Sequence, residues 1–378
     1  MRKLLLTLDY PPQKGGVATY LYHLVQQFDL KDIVVLANRK KNAFIFDEKQ
    51  VYTTHRYKLL GKLWPRWWKA LHITRQVIKN EKIDHLIISH VIPMGYVALM
   101  LKIPFTVVLH GMDVMLAKSK PHKAYLFQKI INAADHIVVN SIYTKTEVMT
   151  EGVDESKISV CYPCPGQLNT KIDQEEKKRF ANEYELNDKK VILSVNRLVA
   201  RKGNDKVIEG LAIIKNELPF EFKYIIVGNG AYQFKLEALI KKHGMEDLVQ
   251  IVNNVEDEML PYFYNSADVF IMPARIESLY DVEGFGIVYL EAALFKKPSI
   301  AGLAGGAPEA VLDGSTGMLV NPDDPLDISF KLIQLLGDSE LAQQLGKHAY
   351  NRTIEKFQWD KQFSSYLKLL SNDHAKEN

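Results

Sequence analysis

Short apolar runs at Lys3–Leu8, Ile33–Ala37, His85–Ser89, Phe105–Leu109 and His136–Val139 punctuate the first part of the chain. Between them apolar residues recur at helical spacing, as Val17, Tyr20, Leu21, Leu24, Val25 and Phe28 do. Compact apolar runs predict strands buried on both faces, and the wider spacing predicts amphipathic helices. Strands alternating with helices predict a parallel sheet with helices on both sides.

From Val160 to Lys178 the pattern breaks, passing through Cys-Tyr-Pro-Cys-Pro-Gly into the charged run Asp173-Gln-Glu-Glu-Lys-Lys-Arg179. The alternation then resumes, with expected strands at Val191–Val195, Phe222–Val227, Val249–Val252, Asp268–Met272 and Pro298–Ala301. The expected organisation is α/β: a Rossmann-like domain over 1–168, a second over 169–356, and a C-terminal segment over 357–378. In that segment Phe363, Tyr366, Leu367 and Leu370 keep helical spacing. Open sheets bind ligands beyond the carboxyl ends of their strands, so two doubly wound domains are expected to face a shared interdomain cleft.

Composition narrows the picture. A length of 378 residues with 47% apolar content supports two buried cores, leaving only the polar end, Ser371 to Asn378, as expected disorder. A net charge of +3 is too mild for a nucleic-acid partner and suits ligands that carry phosphate. At the N-terminus, Asp9, Pro11 and Pro12 follow the apolar start too soon for a signal peptide, and the segment reads as a first strand. The most apolar stretch, Val91 to Met112, is interrupted by Pro93, Lys102 and Pro104 and falls short of the roughly 20 unbroken apolar residues of a membrane helix. Cys161 and Cys164 read as reduced thiols in a loop, since no second cysteine pair completes a zinc site.

Candidate chemistry lies just after the expected strands. Pro11-Pro-Gln-Lys-Gly-Gly16 precedes a helix, and the Gly15-Gly16 pair either turns the chain or lets an anion approach the helix N-terminus. Asn196-Arg197-Leu-Val-Ala-Arg201-Lys202-Gly203 offers three cations, either solvated or gathered on a diphosphate. Asp281-Val-Glu283-Gly-Phe-Gly-Ile-Val-Tyr-Leu-Glu291 is the richest segment. Gly284 and Gly286 open a helix there, freeing the amides of Phe285, Gly286 and Ile287, while Glu283 and Glu291 can accept from sugar hydroxyls.

These residues resemble the retaining glycosyltransferases of family 4, which have the GT-B fold, and the resemblance implies that a C-terminal helix over 357–378 crosses back to the N-terminal domain. The match includes Glu283 and Glu291, Gly15-Gly16, His110-Gly-Met-Asp113, Arg197-Leu with Lys202-Gly203, Ser266-Ala-Asp-Val-Phe-Ile-Met-Pro273 and Gly305-Gly-Ala-Pro-Glu309. The resemblance implies transfer of a hexose from a nucleotide-diphosphate sugar, with retention, to a glycan, lipid-linked or small-molecule hydroxyl. It places Arg197 and Lys202 on the diphosphate, with Gly15-Gly16 approaching from the other domain. Glu283, with the amides of Phe285, Gly286 and Ile287, would hold sugar hydroxyls, Glu291 the ribose, and His110 would lie near the donor sugar. The loop from Val252 would meet the base, although Asn253 stands where a glycine is common. No metal or other cofactor is expected, since basic side chains take over a metal's role and no Asp-X-Asp element follows a strand.

The stretch around Glu283 also resembles some mannosyltransferases acting on phosphatidylinositol mannosides, which makes the expected donor GDP-mannose or a UDP-sugar and leaves the base open. An epimerase of the same fold and a catalytically silent sugar-nucleotide-binding protein are the alternatives. Finally, Arg56-Tyr-Lys-Leu-Leu-Gly-Lys-Leu-Trp-Pro-Arg-Trp-Trp-Lys69 mixes bases with aromatics, and no Asp or Glu occurs from Val51 to Asn80. That composition suits peripheral contact with an anionic membrane through 56–69, or equally a buried amphipathic helix with a basic face. The expected location is cytoplasmic, with such contact on the cytoplasmic face of the membrane.

Overall fold

The computed structural model describes every residue except Lys14, Gln167, 278–280 and Asn378, and every side chain up to Ser371 apart from those. The chain divides into two compact units, Met1–Cys164 with Gln358–Asn378, and Pro165–Phe357.

The first unit is built on a parallel sheet of seven strands: β1 (Lys3–Thr7), β2 (Ile33–Asn38), β3 (Thr53–Tyr57), β4 (His85–Ser89), β5 (Phe105–Leu109), β6 (His136–Val139) and β7 (Ile158–Val160). Their order is β3-β2-β1-β4-β5-β6-β7. The central strands are buried on both faces, which is why Leu4, Leu5 and Leu6 all read as core. Leu4 and Leu6 pack with the helix Trp68–Glu81, whereas Leu5 packs with the helix Gly16–Val25 and with Phe363, Tyr366 and Leu370 of the C-terminal helix Trp359–Glu377. Tyr366 also donates to Thr106 Oγ1 at 3.0 Å. The C-terminal helix continues to Glu377, so regular structure extends into the polar end where the sequence suggests disorder.

The second unit repeats the plan with β8 (Lys190–Val195), β9 (Phe222–Val227), β10 (Val249–Val252), β11 (Val269–Met272), β12 (Ser299–Gly302) and β13 (Gly317–Val320), in the order β10-β9-β8-β11-β12-β13. In each sheet the chain first winds one way and then restarts on the other side of its first strand. The switch points are therefore β1/β4 and β8/β11, where loops diverge and leave room for a ligand at the strands' carboxyl ends. No helix among the described residues is long and apolar enough to cross a membrane.

Candidate functional site

In the second unit, β8 runs into Asn196 and Arg197, then a single 3-10 turn, Ala200–Lys202. Gly203 closes that turn at φ 76°, and a Cβ there would lie 2.2 Å from the carbonyl oxygen of Pro273. Only glycine lets the loops after β8 and β11 pack backbone against backbone at this point. The turn sends Arg201 and Lys202 inward, where both are buried, while Arg197 stays exposed.

Their partners come from the segment after β11. Arg201 Nη1 donates to Glu283 Oε2 at 2.5 Å and its Nε lies 2.8 Å from Asp281 Oδ1. Lys202 donates to the same Glu283 oxygen, and its Nζ also reaches Met272 Sδ at 3.4 Å. Burial works against the Glu283 carboxylate, but Lys202 and Arg201 outweigh it and bring its pKa to about 2. Burial lowers the Lys202 ammonium, with Glu283 opposing. The cluster thus holds two cations against two carboxylates, and Glu283 Oε1 has no hydrogen bond among the described residues. Glu283 is a counter-ion of Lys202 as well as a free acceptor, a pairing the sequence gives no means of seeing.

The backbone beneath Glu283 is fixed from a third strand. After β12, Gly306 N–H donates to Glu283 O at 2.9 Å, and a Cβ on Gly306 would fall 2.1 Å from Gly284 O. Gly286, at φ 91°, then starts the helix Ile287–Leu294, and the N–H groups of Gly286 and Ile287 make no hydrogen bond among the described residues. Phe285 is buried, its ring 5.7 Å from that of Phe357. Tyr289 ties the helix to β11 by donating to Met272 O at 2.5 Å. Farther along, Glu291 accepts from Tyr264 at 2.7 Å, and burial holds its carboxyl above the usual range. Val252 ends β10, half-buried, and the following Asn253 donates from Nδ2 to Gly228 O at 2.6 Å.

Arg275, unremarked in the sequence, sits just past β11 and is buried. It forks onto Asp205 (Nη1–Oδ1 2.9 Å, Nη2–Oδ2 3.0 Å), donates from Nε to Glu277 at 2.7 Å, and its N–H bonds Arg201 O at 2.8 Å. The pair clamps the loop carrying Arg201 to the helix Asn204–Ile214. Arg275→Ala is expected to destabilise the protein by about 1.5–3 kcal/mol, the range for hydrogen bonds to charged groups. Arg275→Lys should recover only part, because an ammonium cannot fork. Denaturant unfolding reads both, and an unchanged midpoint for Arg275→Ala would show that the clamp carries no load.

In the first unit Asp9 follows β1, His90 follows β4 and His110 follows β5. Asp9 accepts from Gln13 at 2.5 Å and lies 3.1 Å from His90 Nε2. The hydrogen bond from His90 leads in holding the Asp9 carboxyl low, and Lys40 adds to it. His110 N–H donates to Asp113 Oδ1 at 2.9 Å, its carbonyl accepts from Asn140 at 3.1 Å, and its Nε2 lies 3.4 Å from Ser89 Oγ. Burial, with His90 nearby, lowers the His110 imidazole to about 3, so the ring is neutral at ordinary pH. Gly15 and Gly16 are exposed at the start of the helix Gly16–Val25, and Lys14 lies outside the described residues.

Two other expectations concern the first unit. Cys161 and Cys164 are free and buried, and burial pushes the Cys161 thiol up to about 12. Within 56–69, Trp67 stacks on Tyr96 at 5.3 Å, whereas Leu63 is 86% and Trp64 90% exposed.

Two solved structures share the whole architecture. The Anabaena protein HepE, in complex with UDP and glucose, aligns with a TM-score of 0.82 at 19% identity over 98% of this chain and 99% of its own. Sucrose-phosphate synthase from Thermosynechococcus elongatus aligns at 0.80 with 19% identity over 100% of both chains. Two Rossmann-like domains in this arrangement of elements define the GT-B fold. The sequence matches carry this further. Residues 14–164 match the family described as Glycosyltransferase Family 4 and residues 174–352 that described as Glycosyl transferases group 1, and the chain belongs to these glycosyltransferases. Among curated relatives, a GDP-mannose-dependent alpha-(1-6)-phosphatidylinositol monomannoside mannosyltransferase of Mycolicibacterium smegmatis is 29% identical over 97% of this chain and 98% of its own length. The N-acetyl-alpha-D-glucosaminyl L-malate synthase of Bacillus anthracis is 26% identical over 77% of this chain and 75% of its own.

Proposed function

We propose that this glycosyltransferase moves a hexose, with retention, from a nucleotide-diphosphate sugar to a hydroxyl of a glycan, lipid-linked or small-molecule acceptor, without a metal ion. The observation that carries the reading is Glu283. One of its oxygens anchors two buried cations, the other is left to accept from a sugar hydroxyl, and the unbonded amides of Gly286 and Ile287 follow directly. On this reading Arg197 and Lys202 take the diphosphate, Glu291 the ribose and the loop from Val252 the base. The first unit supplies Gly15-Gly16 for the phosphates and the neutral ring of His110 for a sugar hydroxyl.

The bond from the anomeric carbon to the diphosphate oxygen breaks while the acceptor oxygen bonds to that carbon on the same face. The acceptor's proton passes to the departing phosphate oxygen, so no side-chain base is needed. Positive charge fixed in advance at the leaving group lowers the barrier because it requires no reorganisation during the reaction. The mannosyltransferase relative makes GDP-mannose the first donor to test, ahead of UDP-sugars such as the one suggested by HepE. Leu63, Trp64 and Trp68, exposed among bases, support peripheral contact with the cytoplasmic face of a membrane.

A thermal-shift panel of GDP, UDP, ADP and dTDP with their sugars tests the donor. At 100 times its dissociation constant the right ligand should add roughly 2.7 kcal/mol of stability. An acceptor assay with the best donor should proceed in excess chelator. Stabilisation by none of the panel would remove the donor assignment, and activity restored only by magnesium or manganese would remove the metal-free mechanism.

A further inference from the structure

The main chain of His110 is held more firmly than its ring. Its N–H and carbonyl are bonded to Asp113 and Asn140, but the imidazole makes one hydrogen bond among the described residues, Nε2 with Ser89 Oγ at 3.4 Å. Nδ1 makes none among them. A single long contact at one corner leaves the plane of a ring free to turn, so packing must fix it.

That packing comes from Tyr20, on the helix Gly16–Val25. Its ring meets the imidazole edge to face, with centroids 5.2 Å apart and planes at 89°, an arrangement that aromatic quadrupoles favour. Tyr20 is buried and pinned by its hydroxyl, which donates to Cys161 O at 2.8 Å just after β7. Two rings of the C-terminal helix also pack on it, Trp359 at 5.7 Å and 77° and Phe363 at 5.3 Å and 74°. Those two stack on each other at 11°, and Trp359 stacks at 12° on His23, one turn along from Tyr20. An aliphatic side chain at position 20 would fill this core as well, but only a planar ring gives the imidazole a preferred orientation.

We propose that Tyr20 is a positioning residue for transfer: its ring, backed by Trp359 and Phe363 of the C-terminal helix, holds the His110 imidazole in the one orientation that turns Nδ1 to the donor sugar. The inference rests on the transferase reading for the role of His110, while the coupling of the two rings does not. Around that ring the titratable groups are His90 and Asp9, which act on it with opposite sign, and Asp113 on its own loop; burial leads, and the ring is neutral.

The test uses the full chain with nitrogen-15-labelled histidine, His110→Ala assigning the resonances. In the wild type the two ring nitrogens of His110 should resonate far apart, as in one neutral tautomer, and stay so down to about pH 5, well above the pKa of about 3. In Tyr20→Leu they should converge, as tautomers exchange and protonation begins, and kcat for GDP-mannose turnover should fall about 10-fold with KM for GDP-mannose within about 2-fold. Tyr20→Phe keeps the ring and gives up only the bond to Cys161, so it should lose stability yet keep the wild-type resonances and kcat. Trp359→Leu, at a half-buried position, should move both readouts in the direction of Tyr20→Leu, and it decides the matter if that variant does not fold. Leu370→Ala loosens the same helix about two turns beyond Phe363 and should change neither readout. Unmoved resonances in Tyr20→Leu, moved resonances with wild-type kcat, or the same changes in Leu370→Ala overturn the proposal. The resonances need no substrate, so absence of turnover by the wild type would count against the transferase reading alone.

Discussion

Glu283→Gln is expected to bind a nucleoside diphosphate at least as tightly as the wild type while kcat/KM for transfer falls about 10²–10³-fold, the range for losing one preorganised polar group at a reacting centre. The two effects separate because Glu283 has two duties. As counter-ion it offsets Arg201 and Lys202, so its neutral isostere leaves more positive charge for a diphosphate. In its proposed role as acceptor it positions the sugar, and an amide oxygen shared with two cations cannot do both. Discrimination among donor sugars should therefore weaken more than affinity for the bare nucleotide. Arg197→Ala, by contrast, should weaken both. A parallel loss of nucleotide affinity and transfer in Glu283→Gln would show that the carboxylate serves the fold and not the sugar.

Acid titration adds a second readout. The Glu283 pKa lies near 2 against an ordinary 4.5, so its ionised form contributes stability that is fully present above pH 4.5 and lost as pH falls through about 2. The difference amounts to about 3 kcal/mol, and the slope should be missing from Glu283→Gln.

The sequence exposes most of the architecture because the central strands are apolar runs buried on both sides. It conceals the edges. Thr53-Thr-His-Arg-Tyr57 forms β3 at the rim of the first sheet, where one side is covered and polar residues are tolerated, so no apolar run marks it. Ile158–Val160 is only three residues long, and Gly317–Val320 opens on a glycine, which leaves three apolar residues in a row. In the site, the types and spacing of Arg197, Lys202, Glu283 and Glu291 are visible locally, each just beyond a strand or inside the following helix. Their pairing is not. Arg201 and Glu283 lie 82 residues apart and Arg275 and Asp205 lie 70 apart, and only the strand order that places β11 beside β8 brings them together. A basic loop and an acidic loop each look like solvated surface until that order is known.

His110→Ala should lower transfer by about 10²-fold, the low end of the range for losing one preorganised polar group at a reacting centre, and alter the acid stability of the protein in a distinctive way. The folded imidazole has a pKa of about 3 against an ordinary 6.5, because burial disfavours its charged form. Below pH 6.5 the unfolded chain takes up a proton that the folded chain refuses. Stability is therefore complete above pH 6.5 and declines as pH falls toward 3, by up to about 5 kcal/mol from this residue alone. The alanine variant lacks that decline. It should be less stable than the wild type at pH 7, where it loses the packing against Tyr20, with the gap closing as the solution is acidified. Urea unfolding at several pH values measures this, and parallel curves between pH 6.5 and 4 would mean that the ring is not held neutral. A neutral ring matters for the chemistry as well. In the proposed role it shares a hydrogen bond with a sugar hydroxyl and adds no positive charge to compete with Arg197 and Lys202 for a diphosphate.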